Sequence, residues 1–332
     1  MSVPAPIVDF VNFLIPAGIF AMLALALNIQ WGHTGLFNAG VAAFLAIGAY
    51  MAAIYLTPYV APSIVYPGHW GYAQVWQPWF GTAVAFVIAV LLSTLLAAFV
   101  GLLIALPILR LRTDYFAIAT LALAEIIRLI LTNAQTATAG TIGILRIPGP
   151  FDTLLPGDPD LQAVAYATLV IASLIVMFWL VQYVTRAPWG RVLRGIREDE
   201  EATLALGKNV FSFRTQAFVF GCALMGAAGG FLASHLGSIT PDNFNPLATF
   251  AIYVMVILGG SGNNFGVIFG AFLYYSLDWV SVRIDDYFPP ALAEKMPAIR
   301  FAAIGVILVA LILFRPEGIF KEKKRTYPAV TK

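Results

Sequence analysis

Apolar runs about twenty residues long recur along this chain from end to end, and nothing else restricts its fold as strongly. A helix needs about 20 apolar residues to cross a hydrocarbon core roughly 30 Å thick. By that length nine segments are candidate spans: Ile7–Ile29, Leu36–Leu56, Phe80–Leu106, Tyr115–Asn133, Gln162–Thr185, Thr215–Leu236, Leu247–Leu258, Phe265–Val282 and Ile299–Phe314. The count ranges from eight to ten, because hydropathy cannot reveal a short helix inside a loop. In lipid, backbone amides must be bonded within the protein, so these runs predict an all-α, polytopic transmembrane helix bundle.

Composition excludes the alternatives. Of the 332 residues, 60% are hydrophobic and 11% charged, against about 25% charged in ordinary soluble domains. The mean hydropathy is +0.85. A soluble core cannot absorb that much apolar surface without large exposed patches. A soluble enzyme, a nucleic-acid binder and a disordered chain are therefore ruled out. The single cysteine, Cys222, excludes a disulfide framework and a Cys-rich metal cluster, and the histidines (His33, His69, His235) stand far apart. Met1–Pro6 carries no Lys or Arg, so no charged leader precedes the first apolar run, which is expected to remain as a span.

Charge placement sets the orientation. With the loop Arg186–Arg214 in the cytoplasm, alternation puts Arg110, Arg112 and the tail from Arg315 on the same side, gathering 14 of the 19 Lys and Arg residues there. The positive-inside rule then places the C-terminus in the cytoplasm and, with nine spans, the N-terminus outside. The loop Thr57–Trp79 has no Lys or Arg and is rich in Pro, Trp and Tyr, as suits an external loop beside an aromatic interface belt. Two spans are irregular. The second opens on Gly32-His33-Thr34-Gly35, and the seventh stops at Gly259-Gly260-Ser261-Gly262, too short to cross as a plain helix. Such backbone survives at membrane depth only when buried in protein or lining a cavity. The small-residue stretches Ala46–Ala49 and Gly221–Gly230 predict tight helix packing.

The most charged stretch, RAPWGRVLRGIREDEEATLALGKNVFSFR (Arg186–Arg214), predicts a helical piece from Trp189 to Leu206. The acidic run Glu198–Glu201 suits a helix start, and Gly207 followed by Lys208 reads as a C-terminal stop. Such a helix, held parallel to the membrane, can pass force from a soluble partner to the spans. The plainer alternative is a solvated connector whose charge only fixes topology.

Glu201-Ala202-Thr203, three residues, then Gly207 resembles the EAA-xxx-G loop of ABC importer permeases, with Thr203 where Ala is usual. The wider set is more specific: LAIGAY (Leu45–Tyr50), LRTDYFAIATLALAEIIR (Leu111–Arg128), the loop itself, ILGGSGNNFGVIFGAF (Ile257–Phe272) and RPEG (Arg315–Gly318). Together they resemble the LivM-type permease subunit of branched-chain amino acid ABC transporters over roughly Gly32 to Gly318. A departure is LFNAG (Leu36–Gly40), where many relatives read SLGHA.

That resemblance implies one permease domain over 1–320, with 186–214 as its cytoplasmic coupling loop and 321–332 as a basic tail, in the plasma (inner) membrane of a prokaryote. It implies two cytoplasmic ATP-binding subunits, a second related permease and an external substrate-binding protein as partners. Arg194, Arg197, Glu198, Glu201, Ala202 and Gly207 would couple to the ATPase, and Gly260 and Gly262 would form a hinge or second ATPase contact. The residues agree on one point: no GxxxxGK[ST] phosphate loop is present, so ATP would be bound and hydrolysed by another chain and this one needs no cofactor.

Within the spans, Glu125 and Arg128 lie at i and i+3 and can pair. Either they line the substrate path with Asn38, or they form a structural ion pair, the reading favoured here. Two other function classes stand against the importer: an ion-gradient-driven secondary transporter, which calls for more intramembrane carboxylates than Glu125 and Asp278, and an intramembrane enzyme, for which no catalytic spacing appears.

Overall fold

The computed structural model describes residues 5–63, 66–71, 73–285 and 318–321, with single positions between 302 and 313. The apolar runs become helices almost throughout: α1 (Ala5–Leu27), α2 (Val41–Leu56), α3 (Ala73–Ile108), α4 (Thr113–Asn133), the single turn α5 (Gln135–Thr138), α6 (Pro159–Arg186), α7 (Pro188–Glu198), α8 (Glu200–Ala205), α9 (Val210–Leu236), α10 (Pro246–Gly259) and α11 (Asn264–Asp285). The first eight expected spans each coincide with one of these helices. The ninth, Ile299–Phe314, lies largely outside the described residues, as does the basic tail beyond Lys321. Among the described residues, five helices are long and apolar enough to cross a membrane, while α2 and α10 are shorter.

Three boundaries differ from the sequence reading. The second span starts at Val41 rather than Leu36, because α1 first widens into a π-helix, Asn28–His33, and residues 34–40 then run irregularly. Arg186 and Arg214 sit on α6 and α9, so the connection is shorter than the charge pattern implied. The helix expected from Trp189 to Leu206 is two helices broken at Asp199 (φ −156°, ψ 108°). Asp199 turns its carboxylate onto the Ala202 amide at 2.9 Å and becomes the N-cap of α8. Aspartate divides a helix in this way by accepting from an amide two or three residues further on.

Helix α9 lies at the centre, between α2 and α3, and also touches α1; α1 in turn packs on α6 and α11. The contacts are made by small residues. A Cβ on Gly226 would stand 2.6 Å from Ser93 O, one on Gly229 would stand 2.7 Å from Ala49 N, and Gly48 faces the Gly226 backbone directly. Ser93 Oγ donates to Gly48 O at 2.7 Å, tying α3 to α2 across the same seam. In lipid, where apolar surface gains little by leaving its surroundings, such close backbone approach supplies the packing. The outer faces of α3 and α4 carry exposed apolar residues such as Leu95, Phe99, Ile118 and Ile130, as a bilayer or a partner helix requires.

The two ends of the bundle differ. At one end the strands β1 (Ile144–Leu145) and β2 (Ser238–Ile239) pair antiparallel, near a 3-10 turn, Pro241–Phe244. At the other stand α7, α8 and the ends of α1, α3, α6 and α10. The Arg110 guanidinium lies 5.9 Å from the Phe211 ring there, and Asn263 Nδ2 donates to Lys321 O at 3.3 Å. Of the groups assigned to one side by charge alternation, Arg110, the 186–214 connection and Lys321 thus stand at one end.

Candidate functional site

The site is built at the end that carries α7 and α8. Helix α7 is strongly amphipathic: Gly190, Leu193 and Ile196 are buried on the bundle, while Arg191 and Glu198 are exposed. Its start is pinned by Trp189 Nε1, which donates to Gln216 Oε1 on α9 at 2.9 Å. Helix α8 is clamped to α9 by a two-pronged ion pair, Arg214 Nη1 to Glu200 Oε1 at 2.9 Å and Nη2 to Oε2 at 2.8 Å. The end of α8 turns on Gly207, whose φ of +74° is the left-handed conformation expected of it, and whose amide donates to Leu204 O at 2.9 Å.

Of the residues proposed for coupling, Glu198, Glu201, Ala202 and Gly207 are exposed, and Arg194 is half-buried. Two apolar neighbours, Leu204 and Leu206, are 52% and 79% exposed on this otherwise polar segment. Arg197 differs from the others. Its side chain is only 21% exposed and turns inward, where Nη1 donates to Gly32 O at the end of the π-helix.

Gly260 and Gly262 form the turn between α10 and α11, with φ of +104° and +82°. The turn is covered from two directions. Gly262 N donates to Asn28 Oδ1 of the π-helix at 2.8 Å. From the other side, Ile319 N donates to Leu258 O at 3.0 Å and Phe320 N to Gly259 O at 3.1 Å. The close helix crossing expected here is present: a Cβ on Gly259 would stand 2.7 Å from Val267 Cα, and one on Gly270 would stand 2.6 Å from Gly259 N. Gly32, the GGSG turn and residues 318–320, remote in sequence, therefore meet at one place.

Beneath them lies a buried polar cluster. Asn28 Nδ2 donates to Asn264 Oδ1 at 2.9 Å, and His33 Nε2 lies 3.0 Å from the same oxygen. Asn264 Nδ2 donates to Thr185 Oγ1 at 3.1 Å on α6. Asn28, His33, Thr185 and Asn264 are all buried. Asn264 and Thr185 escaped the sequence reading; an amide at the opening turn of an apolar helix was the available signal.

Side chains of nearby helices bond much of the irregular segment 34–40. Gln30 spans it, its Nε2 donating to Phe218 O at 2.8 Å and its Oε1 accepting from Asn38 Nδ2 at 2.8 Å. Asn38 Oδ1 accepts from Gly40 N at 2.9 Å, and Asn38 O accepts from the Tyr253 hydroxyl at 3.0 Å. Thr120 and Thr249 accept from the amides of Ala39 and Ala42, each at 3.0 Å. Asn38, proposed for the pathway, is fully buried and its side chain is used in holding this break. A buried amide without such partners costs about 1–3 kcal/mol, so the side chains are what make a break at membrane depth tolerable.

Glu125 and Arg128 do pair, with Nη2–Oε1 at 2.6 Å and Nε–Oε2 at 3.0 Å. Arg128 Nη1 also reaches Asp242 Oδ1 at 3.1 Å, joining α4 to the 3-10 turn at the end opposite α7. The ion pair therefore sits in the far half of α4, five and eight residues before Asn133. Sequence reasoning gave the pair and missed its third member.

A lipid-spanning helical bundle with broken helices, capped at one end by a short polar helix pair, is the architecture of a multi-pass membrane permease. The chain belongs to the family described as branched-chain amino acid transport system / permease component, which matches residues 10–314. It is 28% identical over 321 residues to the high-affinity branched-chain amino acid transport system permease protein LivM of Escherichia coli, covering 91% of this chain and 67% of that protein. The probable branched-chain amino acid transport permease protein LivM of Methanocaldococcus jannaschii is 27% identical over 335 residues, or 95% of this chain and 94% of that one. A more distant likeness, 29% over 169 residues, links it to the autoinducer 2 import system permease protein LsrC of Yersinia pestis, across 46% of this chain and 47% of that protein. No solved structure matches.

Proposed function

We propose that this chain is the translocating subunit of a binding-protein-dependent ABC importer that carries branched-chain or related amino acids into the cytoplasm. ATP hydrolysis is left to two cytoplasmic partner subunits, a second related permease completes the pore, and an external binding protein delivers the solute. The observation that carries the reading is the α7–α8 pair. A connector between two spans needs only a few residues, yet this one is folded, anchored by Trp189 and Glu200, and presents Glu201, Leu204, Leu206 and Gly207 outward. Exposed leucines beside carboxylates suit a groove on a soluble protein. The names of the relatives support the solute class.

In this reading closure of the ATPase pair displaces α7–α8, and the bundle answers by changing between outward-open and inward-open states. Coupling of this kind requires a two-state element whose equilibrium both ends bias. The end bearing α7 and α8 faces the cytoplasm, following the positive charge.

Affinity purification followed by reconstitution tests the proposal. ATP-binding subunits are expected to co-purify, and uptake of leucine, isoleucine or valine is expected to require the binding protein and ATP and to stop with orthovanadate. Uptake that follows a proton gradient and persists without ATPase subunits would establish the secondary-transporter alternative instead.

A further inference from the structure

We propose that Arg197 is a positioning residue that passes movement of α7 into the membrane-embedded bundle through the backbone of Gly32, and is not a contact for the ATPase. This rests on the importer reading above. Arg197 occupies the last turn of α7, immediately before the break at Asp199. Its guanidinium bonds in two directions: Nη1 to Gly32 O, and Nη2 to Glu198 Oε1 at 2.8 Å. Its stem lies along Gly35, where a Cβ would stand 3.2 Å from Arg197 Cγ and where φ is +77°. The side chain thus runs across two glycines, its stem on one and its head on the other.

Gly32 is itself in direct backbone contact with the next element. A Cβ there would stand 2.6 Å from Gly262 N. One turn earlier in the π-helix, Asn28 accepts from Gly262 N and donates to Asn264. Asn264 opens α11 and reaches Thr185 at the end of α6. A displacement of Arg197 is therefore handed to α1, to the α10–α11 turn and to α6 by polar contacts that are part-buried at Arg197 and Gly262 and fully buried at Asn264. Inside a low-dielectric core these bonds stretch at high cost, so the groups they join move together. A π-helix, with its wider turn, is a natural place for such a shift to be absorbed.

The experiment uses the complete transporter in liposomes, with its ATPase subunits and binding protein, and reads the ratio of solute imported to ATP hydrolysed. For Arg197→Gln the complex is expected to assemble and to hydrolyse ATP within twofold of wild type, while uptake falls at least tenfold. Arg197→Lys, which keeps the charge and one donor, should recover part of that loss. An unchanged ratio in Arg197→Gln would overturn the proposal. So would loss of ATPase subunits from the purified complex, because that outcome puts Arg197 on the docking surface. A measurement on the unsubstituted complex covers a variant that fails to fold: on ATP binding, amide exchange is expected to change at 28–35 together with α7. Change in α7 and α8 alone would also overturn the proposal. If the unsubstituted complex lacks ATPase subunits altogether, it is the importer reading that fails.

Discussion

Gly318 lies so close to Gly260 that a Cβ added to it would stand 2.6 Å from the Gly260 nitrogen, and its φ of +74° already favours glycine. The contact closes the α10–α11 turn with a segment that follows the last apolar run.

Gly318→Ala is therefore expected to lower stability by about 2 kcal/mol or more, since strained backbone and steric overlap act together. Thermal unfolding of the purified protein in detergent measures it. Gly207→Ala is the matched control: φ is also +74°, but nothing stands within 4 Å of the added carbon, so only the conformational cost of about 1 kcal/mol remains.

Open space at Gly207 also separates folding from function. Gly207→Asp and Glu201→Lys are expected to leave membrane insertion and yield unchanged while lowering uptake at least fivefold, because both alter the exposed face of the α8 turn. Uptake assays alongside quantified membrane protein check this; wild-type import by either variant would remove that residue from the docking surface.

The Glu200–Arg214 pair contributes little to global stability, about 0.2–1 kcal/mol for a half-exposed pair, but it sets where α8 rests on α9. Arg214→Glu alone is expected to reduce uptake severalfold. The exchange Glu200→Arg with Arg214→Glu should restore at least half of it, as a double-mutant cycle would show.

Glu125 and Arg128 give opposite predictions for their two readings. A pair that braces α4 against Asp242 leaves the substrate concentration for half-maximal uptake within twofold of wild type when Glu125→Gln and Arg128→Gln are combined. A pair that touches substrate raises it tenfold. The first outcome is expected, because the pair is bonded within its own helix and to the neighbouring turn.

The spans were legible in the sequence because lipid imposes a length and a composition, and eight of the nine segments coincide with a helix. The break at Asp199 was not. Periodicity runs through it without a Pro or Gly, and only the capping geometry of one carboxylate divides the helix. Arg197 appeared to be one charge among several, since composition cannot tell which arginine of a loop turns inward. Glu125 and Arg128 were visible as neighbours on one helix, whereas Asp242, 114 residues away, was brought to them only by the fold. Likewise Gly262 stood out as flexible, but its partner Asn28 lies 234 residues earlier.

The segment between Thr34 and Gly40 has an electrical consequence. The amides of Gly35, Leu36, Ala39 and Gly40 end on Trp31, Gln30, Thr120 and Asn38, all groups of the same chain, so these donors are spent before water or a cation can meet them. Donors used up in this way leave fewer footholds for ions where α1 hands over to α2.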